Sequence, residues 1–144
     1  MVVIGSDHGG FELKERIKDF LRELGEEVED VGVFSEESCD YPDIAKEVAI
    51  RVAQNGSKGI LICGTGIGMS IAANKIKGVR CALCHDAYTA EFARRHNNAN
   101  ILAFGGRTTG VEIAKQMVKI FLSTEFDGGR HQRRINKISD LEAL

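Results

Sequence analysis

Apolar residues recur along this chain in two alternating rhythms. Residues 2–5 are a short apolar run closed by Gly5, which reads as a strand. Residues 10–24 then place Phe11, Leu13, Ile17, Phe20, Leu21 and Leu24 at helical spacing, and Gly25 stops the helix. Val28, Val31 and Val33 mark a weaker second strand. From Asp43 onward Ile44, Ala45, Val48, Ala49 and Val52 are again helical, with Pro42 at the start and Asn55-Gly56 at the end. The pattern continues with a strand at 59–63, a helix at 67–76, a strand at 79–84 and a helix at 87–95 that Asp86 can cap. A strand at 100–104 follows, then a helix opened by Thr108 or Thr109 and running to about Leu122. Gly128-Gly129 breaks the chain before a last helix over 130–143.

Strands and helices alternate strictly five times. That order implies a doubly wound, three-layer αβα domain of Rossmann-like type, with a five-stranded parallel sheet and an extra C-terminal helix. No linker, repeat or low-complexity tract divides residues 1–144, so one domain is expected. In such sheets ligands bind beyond the carboxyl ends of the strands. Those positions carry Ser6-Asp7-His8-Gly9-Gly10, Cys63-Gly64-Thr65-Gly66-Ile67-Gly68, His85-Asp86 and Gly105-Gly106-Arg107.

Composition narrows the function classes. The chain has 144 residues, 43% hydrophobic and 28% charged, with a net charge of −2. That balance fits an ordinary soluble globular protein and argues against nucleic acid or membrane as the main partner. No apolar run approaches the ~20 residues of a membrane span. Met1-Val-Val-Ile-Gly5 lacks a basic n-region and a long apolar stretch, so no signal peptide is expected and a cytoplasmic location is. The four cysteines, Cys39, Cys63, Cys81 and Cys84, are expected as free thiols. Cys81 and Cys84 lie in an apolar strand and read as small core residues rather than as a zinc or redox pair.

The segment after the third strand holds the most chemistry. Its glycines let the backbone approach a ligand and aim several N–H groups at it. The start of the next helix adds partial positive charge, a field that favours a bound anion and a nearby thiolate alike. Cys63 is thus a reactive group beside an anion hole, or a buried inert thiol. A dinucleotide fold would need G-x-G-x-x-G after the first strand, and no phosphate-binding G-x-x-x-x-G-K-[ST] occurs. Asp7 and His8 could contact a ligand or merely cap a turn, and Tyr41 could line a pocket or cap a helix. His96 and Asn97 belong to a polar cluster between a helix and a strand. Arg130 and Arg134 are four residues apart, so a helix there puts two guanidinium forks on one face, suited to a phosphate or simply solvated.

Together these segments closely resemble the type B ribose-5-phosphate isomerases, a family that also contains allose-6-phosphate and galactose-6-phosphate isomerases. The resemblance is carried by Gly5-Ser-Asp-His-Gly-Gly-Phe11, Asp40-Tyr-Pro42, Ile62-Cys-Gly-Thr-Gly-Ile-Gly68, Ser70-Ile-Ala-Ala-Asn-Lys75, His96-Asn97 and Gly128-Gly-Arg-His-Gln-Arg-Arg134, six ordered motifs over essentially the whole chain. It implies an aldose-ketose isomerase of carbohydrate metabolism that interconverts ribose 5-phosphate and ribulose 5-phosphate in the pentose phosphate pathway through an enediolate. It implies no metal and no organic cofactor. The six-carbon isomerases and a non-catalytic sugar-phosphate-binding module are the alternatives. By the same resemblance Cys63 matches the base that moves a proton between C1 and C2, and His96 the acid that helps open the sugar ring. Asp7, His8, Asn97, Arg107, Arg130 and Arg134 match ligand contacts, and Gly64, Thr65, Gly66, Ile67 and Gly68 the backbone anion hole; Tyr41 is expected to line the substrate pocket beside them. The family forms homodimers or larger assemblies with active sites at subunit interfaces.

Helix length makes a separate point. Nine residues over 87–95 travel roughly 14 Å away from the carboxyl end of the fourth strand. His96 and Asn97 are therefore expected at the opposite end of their own sheet from Cys63, serving the site of a partner subunit.

Overall fold

The computed structural model describes residues 1–144, in which five parallel strands form one sheet. The strands are β1 (Val2–Ser6), β2 (Val28–Asp30), β3 (Lys58–Cys63), β4 (Cys81–Leu83) and β5 (Ile101–Gly105). The helices are α1 (Phe11–Glu23), α2 (Tyr41–Asn55), α3 (Ile67–Ala73), α4 (Ala87–Arg95), α5 (Val111–Ser123) and α6 (Arg130–Asp140). Short 3-10 turns occupy His8–Gly10 and Leu141–Ala143.

The strand order is β2-β1-β3-β5-β4. The chain builds outward from β1 to β2, then crosses back to β3 on the other side of β1. That reversal opens the crevice between β1 and β3 where ligands of such sheets bind. Registers run Ser6 opposite Ile62 and Cys63 opposite Gly105, so the ends of β1, β3 and β5 are level.

Side chains alternate between the two faces of each strand, as a strand's twofold period requires. Val2, Ile4, Ile60, Ile62, Leu102 and Phe104 pack with α1, α4 and α5. Val3, Leu61, Cys63, Ile101 and Ala103 pack with α2 and α3. The central strands therefore read as continuous apolar runs, since both faces are covered.

The alternation of elements matches the sequence reading, with shifted ends. The helix expected from Thr108 or Thr109 begins at Val111 behind Gly110, because the threonines are spent on the turn after β5. The helix expected over 67–76 stops at Ala73, where the Asn74 side chain bonds the Cys81 backbone in both directions and pulls the chain toward β4. The strand expected over 79–84 is only Cys81–Leu83, and the last helix gives way to a 3-10 turn after Asp140. Asp86 does cap α4, with a reciprocal bond pattern to Thr89.

Candidate functional site

Two groups of polar residues emerge, at opposite ends of the strands. The first gathers where β1, β3 and β5 end. Asp7 is 7% exposed, and its carboxylate accepts the Gly10 N–H at 3.1 Å. That bond folds Asp7-His8-Gly9-Gly10 into a tight turn over β3, where the Asp7 N–H also donates to the Ile62 carbonyl. His8 Nδ1 accepts the Cys39 N–H at 3.3 Å, which fixes the orientation of the ring and makes Nδ1 its acceptor atom.

Cys63 closes β3 at 5% exposure, on the sheet face covered by α2 and α3. The Gly66 N–H donates to Cys63 Sγ at 3.1 Å. Ile67 N–H turns instead to the Thr65 hydroxyl at 3.3 Å. The N–H groups of Gly64, Thr65 and Gly68 take no acceptor within the chain. The five-donor anion hole of the sequence reading thus resolves into one donor committed to the thiol, one committed locally, and three free.

Two glycines are required by this geometry. Gly66 sits at φ +81°, and a Cβ there would lie 2.7 Å from Phe104 backbone carbon. At Gly68 a Cβ would enter the ring of Tyr41, so Tyr41 at the start of α2 packs directly against the loop. Arg107 reaches across from the end of β5; its Nη1 lies 3.3 Å from where a Cβ on Gly64 would be. The Arg107 guanidinium has no acidic partner, and with Gly9 and Gly106 it lines a cleft of about 340 Å³.

The second group lies at the amino ends of the strands. His96 ends α4, and Asn97 to Asn100 lead into β5, where the Gly59 N–H of β3 donates to the Asn100 carbonyl. Asp127 N–H donates to the Arg95 carbonyl at 3.0 Å, which ties the chain before α6 to the end of α4. The Gly128-Gly129 turn then starts α6 beside α4, and His131 stacks on His96 with ring centroids 4.1 Å apart. Arg130 and Arg134 flank His131 on α6. Desolvation, then the positive charges of His96, Arg130 and Arg134, lower the His131 pKa below the ordinary imidazole range, with Asp127 opposing.

The structure therefore brings together Asp7, His8, Tyr41, Cys63, Gly64 to Gly68 and Arg107, and separately His96, Asn97, Arg130 and Arg134. Asp127 and His131 were not singled out as site residues by sequence; only the fold shows that thirty-five positions separate two stacked rings. Lys14, fully buried, was missed as well. Its Nζ bonds Asp30 and the Val33 carbonyl and so anchors the segment that delivers Cys39 to His8. Burial pushes the Cys81 thiol up to about 12 and the Cys84 thiol to about 11, which keeps both protonated at neutral pH and fits their reading as packing residues.

Comparison with known proteins yields one consistent picture. The model of the family described as Ribose/Galactose Isomerase matches residues 2–138. A putative sugar phosphate isomerase, YwlF, of Bacillus subtilis is 54% identical over 143 residues, covering 98% of this chain and 96% of the relative. Ribose-5-phosphate isomerase B of Escherichia coli is 48% identical over 142 residues, covering 98% and 95%. Among solved structures, ribose-5-phosphate isomerase B of Clostridium thermocellum superposes with a TM-score of 0.97 at 50% identity, covering 99% of this chain and 97% of that one.

Proposed function

The chain belongs to the Ribose/Galactose Isomerase family, and on that premise we propose that it interconverts ribose 5-phosphate and ribulose 5-phosphate. The observation that carries this reading is the Cys63 thiol held by the Gly66 N–H, with three uncommitted N–H donors beside it. That donor holds the sulfur at the end of β3 and favours negative charge on it, and the thiolate is the proton-accepting form of cysteine.

The closed sugar must open before the proton on C2 can be removed. His96 assists opening as the group that transfers the ring proton. Cys63 then takes the proton from C2. The electron pair moves into the C1 carbonyl, and the resulting enediolate oxygen is met by the free N–H groups of Gly64, Thr65 and Gly68. Donors placed where charge develops are worth roughly 3 kcal/mol each. Cys63 returns the proton to C1, the O2 hydroxyl loses its proton as the C2 carbonyl forms, and O1 gains one. Arg107, His8, Arg130 and Arg134 hold the phosphate, and Asp7, Tyr41 and Asn97 orient the sugar, so that binding away from the reacting carbons positions them at Cys63.

His96, Asn97, Arg130 and Arg134 reach a Cys63 site only on another chain. A homodimer or larger assembly with shared sites follows. Two features support it: α6 buries only Ile135 against its own chain, and Ile67 and Ile71 next to the Cys63 loop are exposed by 51% and 59%. Such apolar residues are what an interface covers. Each chain contributes one domain over residues 1–144 to that assembly, and no helix is long and apolar enough to cross a membrane.

A coupled assay comparing ribose 5-phosphate, allose 6-phosphate and galactose 6-phosphate tests the substrate. The expected result is the highest kcat/KM on ribose 5-phosphate. A higher value on either six-carbon sugar overturns the assignment.

A further inference from the structure

His96, Asp127 and His131 each place one ligand atom within 4.8 Å of the others. The cluster is built by two independent features of the fold. The Asp127 N–H bond to the Arg95 carbonyl pins the carboxylate at the end of α4. The Gly128-Gly129 turn, with both residues at positive φ, then drops His131 onto His96. Two imidazoles and one carboxylate, with a side open to solvent, are a ligand set for a borderline divalent ion. Magnesium and calcium, which prefer all-oxygen shells, are poorly served by it.

We propose that His96, Asp127 and His131 form a site for a zinc-class divalent ion, and that its occupation withdraws His96 from sugar ring opening. The second half rests on the role given to His96 under the proposed function; the first half does not. In the unloaded arrangement the rings are stacked at an interplanar angle of 12°, whereas a bound metal lies in the plane of each imidazole. Loading therefore fans the rings apart about their side-chain torsions and takes the Asp127 carboxylate from Arg95 Nε, 3.2 Å away. Both adjustments involve half-buried or exposed side chains and leave the core untouched. Arg130 and Arg134 add positive charge and hold the affinity below that of a closed structural zinc site, so the ion exchanges. A fourth position stays open to water, since the chain offers three ligands. Ring opening and the metal compete for the same imidazole, so an ion on His96 takes that side chain out of proton transfer.

The test titrates the full-length protein with cobalt(II) chloride and follows the visible absorption of the bound ion, then repeats the titration with zinc chloride against isomerase activity. The expected result is one ion per chain and loss of activity over the same metal concentrations, reversed by a chelator. Asp127→Ala and His131→Ala each remove one of three ligands and should weaken cobalt binding by more than the roughly tenfold that loss of an outer-shell partner costs. Cys63→Ser separates this site from thiol ligation and should bind cobalt as the parent does. Binding that survives His131→Ala and Asp127→Ala but fails in Cys63→Ser overturns the site, as does no absorption change at millimolar cobalt. Binding at the expected ligands without inhibition leaves the site standing and overturns the link to His96.

Discussion

The two polar clusters sit on one sheet but are made by different means. At the carboxyl ends of the strands the working groups are backbone N–H donors and short, buried side chains. Cys63 is 5% exposed and Asp7 7%, and their positions follow from where β1 and β3 stop. At the amino ends the groups are long or aromatic side chains on helix termini, and Arg130 and Arg134 are exposed. The first cluster is held by the core and needs no further ordering to meet a developing charge. The second is loosely supported by its own chain and can be oriented by whatever docks on it. A site assembled from one half of each kind combines a rigid reaction centre with adjustable grips on the substrate.

The largest expected effect breaks the first cluster. Cys63→Ala should lower kcat about 10²- to 10⁴-fold, the range for loss of a proton-transferring group, in a protein that still folds. Retained turnover would remove Cys63 from the mechanism. His96→Ala should also be inactive, and mixing it with Cys63→Ala asks whether the halves work across chains. Random exchange between dimers leaves one site in four with both groups intact, so activity should recover to about a quarter of the parent's. No recovery after verified exchange would confine each site to one chain.

Backbone and side-chain construction should then respond differently to substitution. Gly66→Ala strains a positive φ and meets Phe104, so it should destabilise the protein by about 1–3 kcal/mol in denaturant titrations. Arg130→Ala, on the exposed cluster, should leave stability within about 0.5 kcal/mol while raising KM for the sugar phosphate. A stable Gly66→Ala protein or an unstable Arg130→Ala protein would erase the distinction.

Acid should loosen the Lys14–Asp30 network that supports the carboxyl-end cluster. Burial pushes the Asp30 carboxyl up, but hydrogen bonds from Lys14, Lys18 and the Gly32 N–H outweigh it and hold the pKa below the ordinary value. A depressed carboxylate stabilises the fold above its unfolded pKa and loses that contribution as pH falls through the folded one. The melting temperature should therefore drop below about pH 4 in the parent and less steeply in Asp30→Asn. Equal slopes in the two proteins would discount this network.

Much of this is legible in the amino-acid sequence. The alternation of apolar periods gave the parallel sheet because covering both faces forces apolar strands, and Cys63-Gly-Thr-Gly-Ile-Gly68 announced a turn with spare donors at a strand end. Nine residues of α4 were enough to send His96 away from Cys63, since helical rise is fixed. Other features left no local trace. Lys14 looks like any surface lysine in a helix, and its burial depends on Asp30 and Val33 from another element.

By itself, then, the sequence determined the class of fold, the chemistry of the loop after β3 and the identity of the polar residues at each strand end. These are consequences of local periodicity and of what glycine and cysteine can do. Tertiary structure alone decided the strand order, which N–H groups of residues 64–68 remain free, and that Asp127 and His131 meet His96. Each of those is a long-range contact between segments whose residues carry no mark of one another, and only packing the helices onto the sheet brings them together.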